Sequence, residues 1–444
     1  MAFHRREFLK RTGAVLAASA LPLAGAEAEP RPSTAAPTPA PTGDAWDKVR
    51  AEFSLTPDLI HMSAMLFAAH PGIVRAAIDK HREGFDADPA GYLQANNNRL
   101  TSAAMSAAAR YLGVNASDVA LTDSTTVGAG LVYGGLRLKA GDEILSTEQD
   151  YYVTHEAIRA ASERTGASVR KISLYDKIED VTDDAIVATL KAAIKPETRV
   201  LALTWVHSST GLKIPVAAIG AAVADINKNR GAAEQILFAV DGVHGFGNQD
   251  VNFADLKCDF LFAGCHKWLF GPRGTGLVVA SRKGYDAITP SIPTFADDRV
   301  FNAWLWRKDD FEARTNGQTL SPGGFKAFEH VWALAEAFAF QAGIGKAKVA
   351  ERTAALATQL KDGLAALPHV RLHTPRSPAL SAGIVSFDVD GWSPQNAVRH
   401  LRERKIVASV APYTDQHIRL TPSIVNNPAE VEKAVAEVAA MASS

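Results

Sequence analysis

From Val119 onward the chain alternates short apolar runs with longer stretches in which apolar residues recur at helical spacing. "VALT" at 119–122 leads into "VGAGLVYGGL", "DEILST" into "THEAIRAASERTG", "SVRKISL" into "DAIVATLKAAI", and "RVLALTWV" into "AAIGAAVADINKNRG"; "ILFAVDG" and "CDFLFAG" follow. Strands built of continuous apolar residues leave neither face in water, so they belong to a parallel sheet covered by helices on both sides. The pattern predicts an α/β fold. In such sheets ligands bind outside the carboxyl ends of the strands, and the chemically capable polar residues, from Ser124 to Lys267, fall at those ends. After Ser321 a long helical stretch runs to Leu367, and "AGIVSFDVD" and "HIRLTPS" read as strands. They predict a smaller α+β domain at the C-terminus. The expected boundaries are 61–310 for the large domain and 311–444 for the small one, with residues 46–60 packing on the small domain.

The first residues follow a different pattern. Paired Arg5 and Arg6 precede Phe8, Leu9 and Lys10, then a short apolar stretch, then Ala24, Ala26 and Ala28 at A-x-A spacing. This reads as a twin-arginine export signal over residues 1–28, cleaved after Ala26 or Ala28. The apolar stretch is too short to span ~30 Å of hydrocarbon, which argues against a membrane anchor. Residues 29–45, rich in Pro, Ala and Thr, read as a linker. The expected destination is the periplasm or the exterior, reached through the twin-arginine export machinery, with no membrane association once the signal is removed.

Composition narrows the ligand. A chain of 444 residues that is 47% hydrophobic can bury a substantial core. Its 47 basic and 48 acidic residues leave a formal net charge of -1, so it carries no electrostatic footprint for nucleic acid or anionic lipid. A small-molecule ligand is expected. Two cysteines, Cys258 and Cys265, flank one strand and fit neither a disulfide scaffold nor a CxxC metal site.

The chemistry centres on Lys267, which follows the strand "CDFLFAG". A lysine at the buried end of a strand needs a charge partner, a depressed pKa or a covalent partner, and the last is a Schiff base with an aldehyde cofactor. Asp241 ends the neighbouring strand and His244 follows three residues later. Taken singly, Asp241 before Gly242 reads as a turn residue and Lys267 as a solvated strand end. Together they supply what a pyridoxal phosphate site needs: a carboxylate to hold the ring nitrogen protonated and a lysine to hold the aldehyde. Ser124, Thr125 and Thr126 open a helix after a strand, where backbone amides and hydroxyls can hold a phosphate; alone, the same residues read as an N-cap.

The ordered set "TDSTTVG", "DGVHGFG" and "CHKWLFGPRGTG" resembles the class V branch of fold-type I pyridoxal-phosphate enzymes. That group comprises cysteine desulfurases, isopenicillin N epimerase-like proteins and related aminotransferases. The likeness runs from about residue 58 to 435 and is strongest to the epimerase-like branch. It implies a large domain with a mostly parallel sheet flanked by helices, and pyridoxal 5'-phosphate as cofactor. It further implies that Lys267 holds the aldehyde, Asp241 pairs with the ring nitrogen, and His244 lies near the phenolic oxygen. Thr125 and Thr126 would hold the phosphate, helped by His266. The ring-stacking aromatic is Tyr152 or Tyr151, with a slight preference for Tyr152. Ser208, in "TWVHSSTGL", stands where the family frequently has an asparagine that contacts the phenolic oxygen. "LSPGGF", with Ser321, resembles the segment that reaches into a partner subunit's phosphate site, which implies a homodimer. "HIRLTPSIVNN" resembles the strand whose arginine binds the substrate carboxylate, so Arg419 is the candidate clamp, with Arg273 nearby.

The expected activity is that of an aminotransferase-like enzyme acting on an amino acid or peptide-linked amine. The sequence leaves open an epimerase or lyase, and outside the enzymes an exported amine-binding protein with a decayed site. Cysteine desulfurases require a cysteine in the small domain; the matching "VASVAPYTDQH" offers Tyr413 and no thiol, which argues against sulfur transfer. Export points to a secreted peptide or natural product as substrate, and the resemblance includes a periplasmic enzyme that modifies the siderophore pyoverdine. "FNAWLWRKDDFEARTNG" reads either as an entrance or dimer contact, or as core around Trp304 and Trp306.

Overall fold

Every second residue of the central strands faces a different hydrophobic core. In the strand Leu237–Asp241, Phe238 and Val240 join one core, while Leu237 and Ala239 join another on the opposite side of the sheet. The computed structural model describes residues 45–308 and 314–443. The expected export signal and the linker up to Asp44 lie outside the described residues.

In chain order the strands are β1 (Ile60–His61), β2 (Val119–Thr122), β3 (Glu143–Thr147), β4 (Ser168–Ile172), β5 (Thr198–Thr204), β6 (Leu237–Asp241), β7 (Phe260–Gly264), β8 (Gly276–Ala280), β9 (Val370–Leu372), β10 (Val385–Val389), β11 (Ile406–Val407), β12 (Ser409–Val410) and β13 (Ile418–Leu420). The seven-stranded sheet has the order β2-β8-β7-β6-β5-β3-β4. Its pairs from β4 through β7 are parallel, and β8 alone runs antiparallel to both its neighbours. This is the doubly covered α/β architecture expected. The strand β8, "GLVVA", had not been read from the sequence; it returns the chain from the lysine segment to pair with β7 and β2.

Parallel strands place the ends of β5, β6 and β7 along one edge, which is what brings residues 204–208, 241–244 and 264–267 into one crevice. The helix Thr125–Gly135 packs closely on β7, and a Cβ at Gly128 would stand 3.0 Å from the Phe262 Cβ. Small residues in "VGAG" therefore permit the close approach.

The long helical stretch is three helices: Phe328–Trp332, Leu334–Ile344 and Lys346–Ala365. The first two place Val331, Trp332, Leu334, Ala337 and Phe338 in the core of the large sheet. At Gly345, with φ 98°, the chain turns in a way that only glycine adopts freely. The core of the smaller domain is built after that turn. It contains Leu356, Leu360 and Leu364 packed on Val385, Phe387, Leu401 and Val431. Its sheet is antiparallel, in the order β12-β13-β10-β9. Residues 46–60 join it through the parallel pair β1–β11 and through Phe53, which packs beside Phe270, Val349 and Ile424. No helix among the described residues is long and apolar enough to cross a membrane.

Candidate active site

Asp241 closes β6, fully buried, and its Oδ1 accepts the Val243 N–H at 3.0 Å. Burial raises its carboxyl to about 6, opposed by that hydrogen bond and by Lys267. Lys267 follows β7, and burial lowers its amine to about 8, with Asp241 opposing and Arg419 adding to the effect. Its Nζ has no hydrogen bond or ion pair among the described residues. An ammonium held this way is destabilised, and its neutral, nucleophilic form is favoured.

His244 is buried and accepts the Trp268 Nε1–H at its Nδ1, 3.2 Å away. Burial, reinforced by the charges of Lys267 and Arg419, holds the ring well below the usual histidine range, so it is neutral and carries its proton on Nε2. Across the crevice, Ser124 caps the helix Thr125–Gly135 by accepting the Val127 N–H at 3.2 Å. The Thr125 hydroxyl accepts the Gly264 N–H at 2.8 Å and so ties the helix start to the end of β7. Thr126 is exposed in the first turn. The amides of that turn have no partner within the helix and carry the positive end of its dipole, which suits an anion. Beside the lysine, His266 has a buried Nδ1 without a partner.

The opposite wall comes from the small domain. Arg419 is 1% exposed; its Nε donates to Ser409 Oγ at 3.3 Å, one Nη to the Ser208 carbonyl at 2.7 Å and the other to the Val410 carbonyl at 2.8 Å. Every one of these acceptors is neutral, and Arg419 makes no ion pair among the described residues. Burial lowers it to about 10. A buried guanidinium with donors left over and no carboxylate is an anion-binding group. Tyr413 hydrogen-bonds Ser208, hydroxyl to hydroxyl at 2.7 Å, and its ring meets that of Tyr151 edge-on at 6.0 Å.

The sequence profile of the aminotransferase class-V family matches residues 89–412. The chain belongs to that family. It is thus an enzyme of the pyridoxal-phosphate-dependent class V group. The isopenicillin N epimerase of Streptomyces clavuligerus is 27% identical over 369 residues, covering 82% of this chain and 90% of the epimerase. A cysteine desulfurase from Klebsiella pneumoniae is 26% identical, covering 77% of this chain and 82% of the relative. Among solved structures, the apo cysteine desulfurase of Thermococcus onnurineus NA1 superposes with a TM-score of 0.75 at 19% identity, covering 89% of this chain and 97% of that one. A complex of a cystine C–S lyase with its product cysteine persulfide gives 0.74 at 23% identity, with 86% and 98% covered. At these identities the two structures establish the shared fold.

Within the class-V fold the expected site residues separate into groups. Asp241, His244 and Lys267 converge at the ends of β6 and β7, and the charge of Arg419 acts on His244 and Lys267. Ser124, Thr125 and His266 lie at the same edge. Of the two tyrosines, Tyr151 shares its surroundings with Tyr413 and Arg419, whereas Tyr152 opens its helix 67% exposed. The helix begins at Tyr152 and turns that ring outward. Ser208 is engaged by Tyr413 and Arg419, so its hydroxyl and carbonyl serve the small-domain wall. Ser321 is tied inside its own chain: its hydroxyl donates to the Gly317 carbonyl at 2.8 Å and accepts the Leu121 N–H at 3.0 Å. Within one chain these two bonds hold the hydroxyl at the junction of β2 and the helix Gly317–Leu320. Arg273 is exposed and lies over the Phe67 ring at 5.2 Å.

Two buried groups had escaped the sequence reading. Asp150 ends the turn after β3 and accepts hydrogen bonds from Ser146, Thr147 and the Thr204 N–H. His207 is buried with both ring nitrogens unpartnered, its pKa lowered by burial against the pull of Asp150. The "QDYY" run was visible, but its aspartate gives no sign in the sequence that it braces β3 against β5.

Proposed function

We propose that this enzyme transforms an amino acid or a peptide-linked amine bearing a nearby carboxylate, in the manner of an aminotransferase. The observation that carries the reading is the half-buried, unpaired Lys267 amine beside Asp241 at the end of the adjoining strand. The residues fit pyridoxal phosphate: a lysine without a noncovalent partner for the aldehyde, a buried carboxylate for the ring nitrogen, and an orphaned His266 Nδ1 next to unpaired helix amides for the phosphate. Tyr151 is the aromatic suited to cover the ring. When bound, the cofactor supplies an electron sink for the pair left behind when a bond at the substrate Cα breaks.

The chain's own residues do the rest. Lys267, with its amine near 8, moves a proton to and from its Nζ close to neutral pH. Asp241, once opposite a cationic ring nitrogen, is held as the carboxylate that keeps that proton in place. Arg419 binds the substrate carboxylate with its remaining N–H groups and so fixes which substituents of Cα face the lysine.

A second reading, epimerase or lyase chemistry, is favoured by the similarity to isopenicillin N epimerase over 82% of this chain. Sulfur transfer through a cysteine is disfavoured: Cys265 is buried, with its thiol pushed up to about 12, Cys258 is buried and pushed higher still, and no cysteine follows. A binding protein without turnover has no use for a destabilised lysine paired with a buried aspartate. The Arg5–Arg6 pattern supports export, and with it a secreted peptide or natural product, a siderophore such as pyoverdine among them, as substrate. Homodimerisation is supported by exposed aromatics that a monomer would leave in water: Phe295 at 70%, Trp304 at 73%, Trp306 at 70% and Phe325 at 82%. The same exposure removes Trp304 and Trp306 from the core.

The test is absorbance of the purified protein beside a Lys267→Ala variant, before and after adding candidate amines. A visible band in the wild type that shifts with an amine, and changes in the variant, supports the reading. A colourless wild type that takes up no pyridoxal phosphate refutes it.

A further inference from the structure

The small-domain sheet has two faces. Val385, Phe387, Ile418 and Leu420 point into its core, so the alternate positions Ser386 and Asp388 of β10, and Arg419 of β13, point the other way. The register carries this second face to His417, just before β13, and to His373, just after β9. There the three side chains meet. His373 Nε2 lies 2.7 Å from Asp388 Oδ2, and His417 Nδ1 lies 3.0 and 3.2 Å from the two carboxylate oxygens. The two imidazoles stack at 3.8 Å. No other three His, Cys, Asp or Glu side chains among the described residues converge in this way.

We propose that His373, Asp388 and His417 form a binding site for a divalent transition-metal ion, zinc being the type case. The ligand set is two imidazoles and one carboxylate, which suits zinc, cobalt, nickel or copper and not the oxygen-seeking calcium or magnesium. The charge is right as well. Asp388 brings a carboxylate between the two imidazoles, the kind of donor set a dication takes. Arg371, the cross-strand partner of Asp388, stands 3.8 Å from Glu179, which offsets its charge.

The geometry needs little adjustment. The three ligand atoms lie within 4.8 Å of one another. Ligand atoms around a tetrahedral zinc, with bonds of about 2.0–2.1 Å, stand about 3.3 Å apart, so the 2.7 Å and 3.0 Å contacts to Asp388 open slightly as side-chain rotations turn both imidazoles toward the ion. The two histidines are 11% and 13% exposed and Asp388 37%, so the cluster is held from behind and open on one side to admit the ion and a water as fourth ligand.

The ion would pin β9, β10 and the start of β13 together. His417 is two residues from Arg419 and four from Tyr413, so the site braces the segment that carries the carboxylate-binding wall. Its role is to hold that wall in place; it lies outside the group around Lys267. It stands independently of the reaction proposed above.

The experiment uses chelator-treated, cofactor-loaded full-length protein and cobalt(II) alone, followed by zinc(II) as competitor. Saturation at one equivalent per chain, with the visible absorption of a four-coordinate cobalt site that zinc abolishes, is expected. Asp388→Asn and His373→Gln should each weaken binding about 100-fold or more, since loss of even an outer-shell partner costs about 10–100-fold. An unchanged cofactor band and unfolding temperature show that a variant is folded, and the wild-type cobalt titration stands without them. Non-saturable cobalt binding in the wild type, or affinity unchanged in folded Asp388→Asn, overturns the proposal. A missing cofactor band with intact cobalt binding would instead refute the cofactor reading.

Discussion

Replacing Lys267 with methionine should make the cofactor-free protein more stable while abolishing its chemistry. Burial holds the Lys267 amine at about 8 against an ordinary value of 10.5. At about 1.36 kcal/mol per pH unit, that gap corresponds to about 3 kcal/mol of destabilisation carried by the charged form. Between about pH 8 and 10.5 the unfolded chain holds the proton and the folded chain does not. Stability contributed through this group therefore rises with pH across that window, and the destabilisation is complete below it. Methionine has a comparable volume and no charge. Its substitution leaves Asp241 without a cation, and that carboxyl, already raised to about 6, takes up a proton near neutrality and adds little penalty. For a chain of this size about 3 kcal/mol corresponds to roughly 3–6 °C in unfolding temperature, scaling from smaller domains. The assay is thermal unfolding of cofactor-stripped wild type and Lys267→Met, followed by circular dichroism at pH 7 and pH 10.5. The variant should unfold later at pH 7, with the gap closing at the higher pH. A variant less stable at pH 7, or a gap that does not change with pH, would refute the reasoning.

Two further outcomes follow from the site. Arg419→Met should reduce kcat/KM for a carboxylate-bearing amine by about 100-fold or more, since charge-assisted hydrogen bonds contribute about 1.5–3 kcal/mol each; steady-state comparison with the decarboxylated amine, which should lose far less, checks it. Thr125→Val leaves the Gly264 N–H without its acceptor and should destabilise the protein by about 1–3 kcal/mol, with weaker retention of the cofactor, measured by unfolding and by dialysis against buffer.

The parts of the fold that could be read in advance were those where one physical cause acted along contiguous residues. "ILFAVD" and "CDFLFAG" became β6 and β7 because continuous apolar strands must be covered on both faces, and Asp241 and Lys267 followed from their position at the strand ends. Strand β8 escaped because it is antiparallel and lies behind a glycine-rich turn that disguised its start. The different exposure of Tyr151 and Tyr152 depends on where one helix begins, a matter of a single residue. The bond from Ser321 to Leu121, 200 residues away, has no local signal in the sequence. The same holds for His373, Asp388 and His417, which belong to three separate strand ends and become neighbours only through sheet register. Long-range pairing of this kind leaves no local periodicity to read.

The burial of both cysteines has a practical consequence. With only Cys258 and Cys265 in the whole chain, both buried and both with thiols pushed far above neutrality, thiol-directed reagents meet no reactive group on the native protein. A single cysteine introduced on the exposed segment at Asp415 would then be the one labelled position. A fluorophore placed there would report movement of the Tyr413 segment against a silent background.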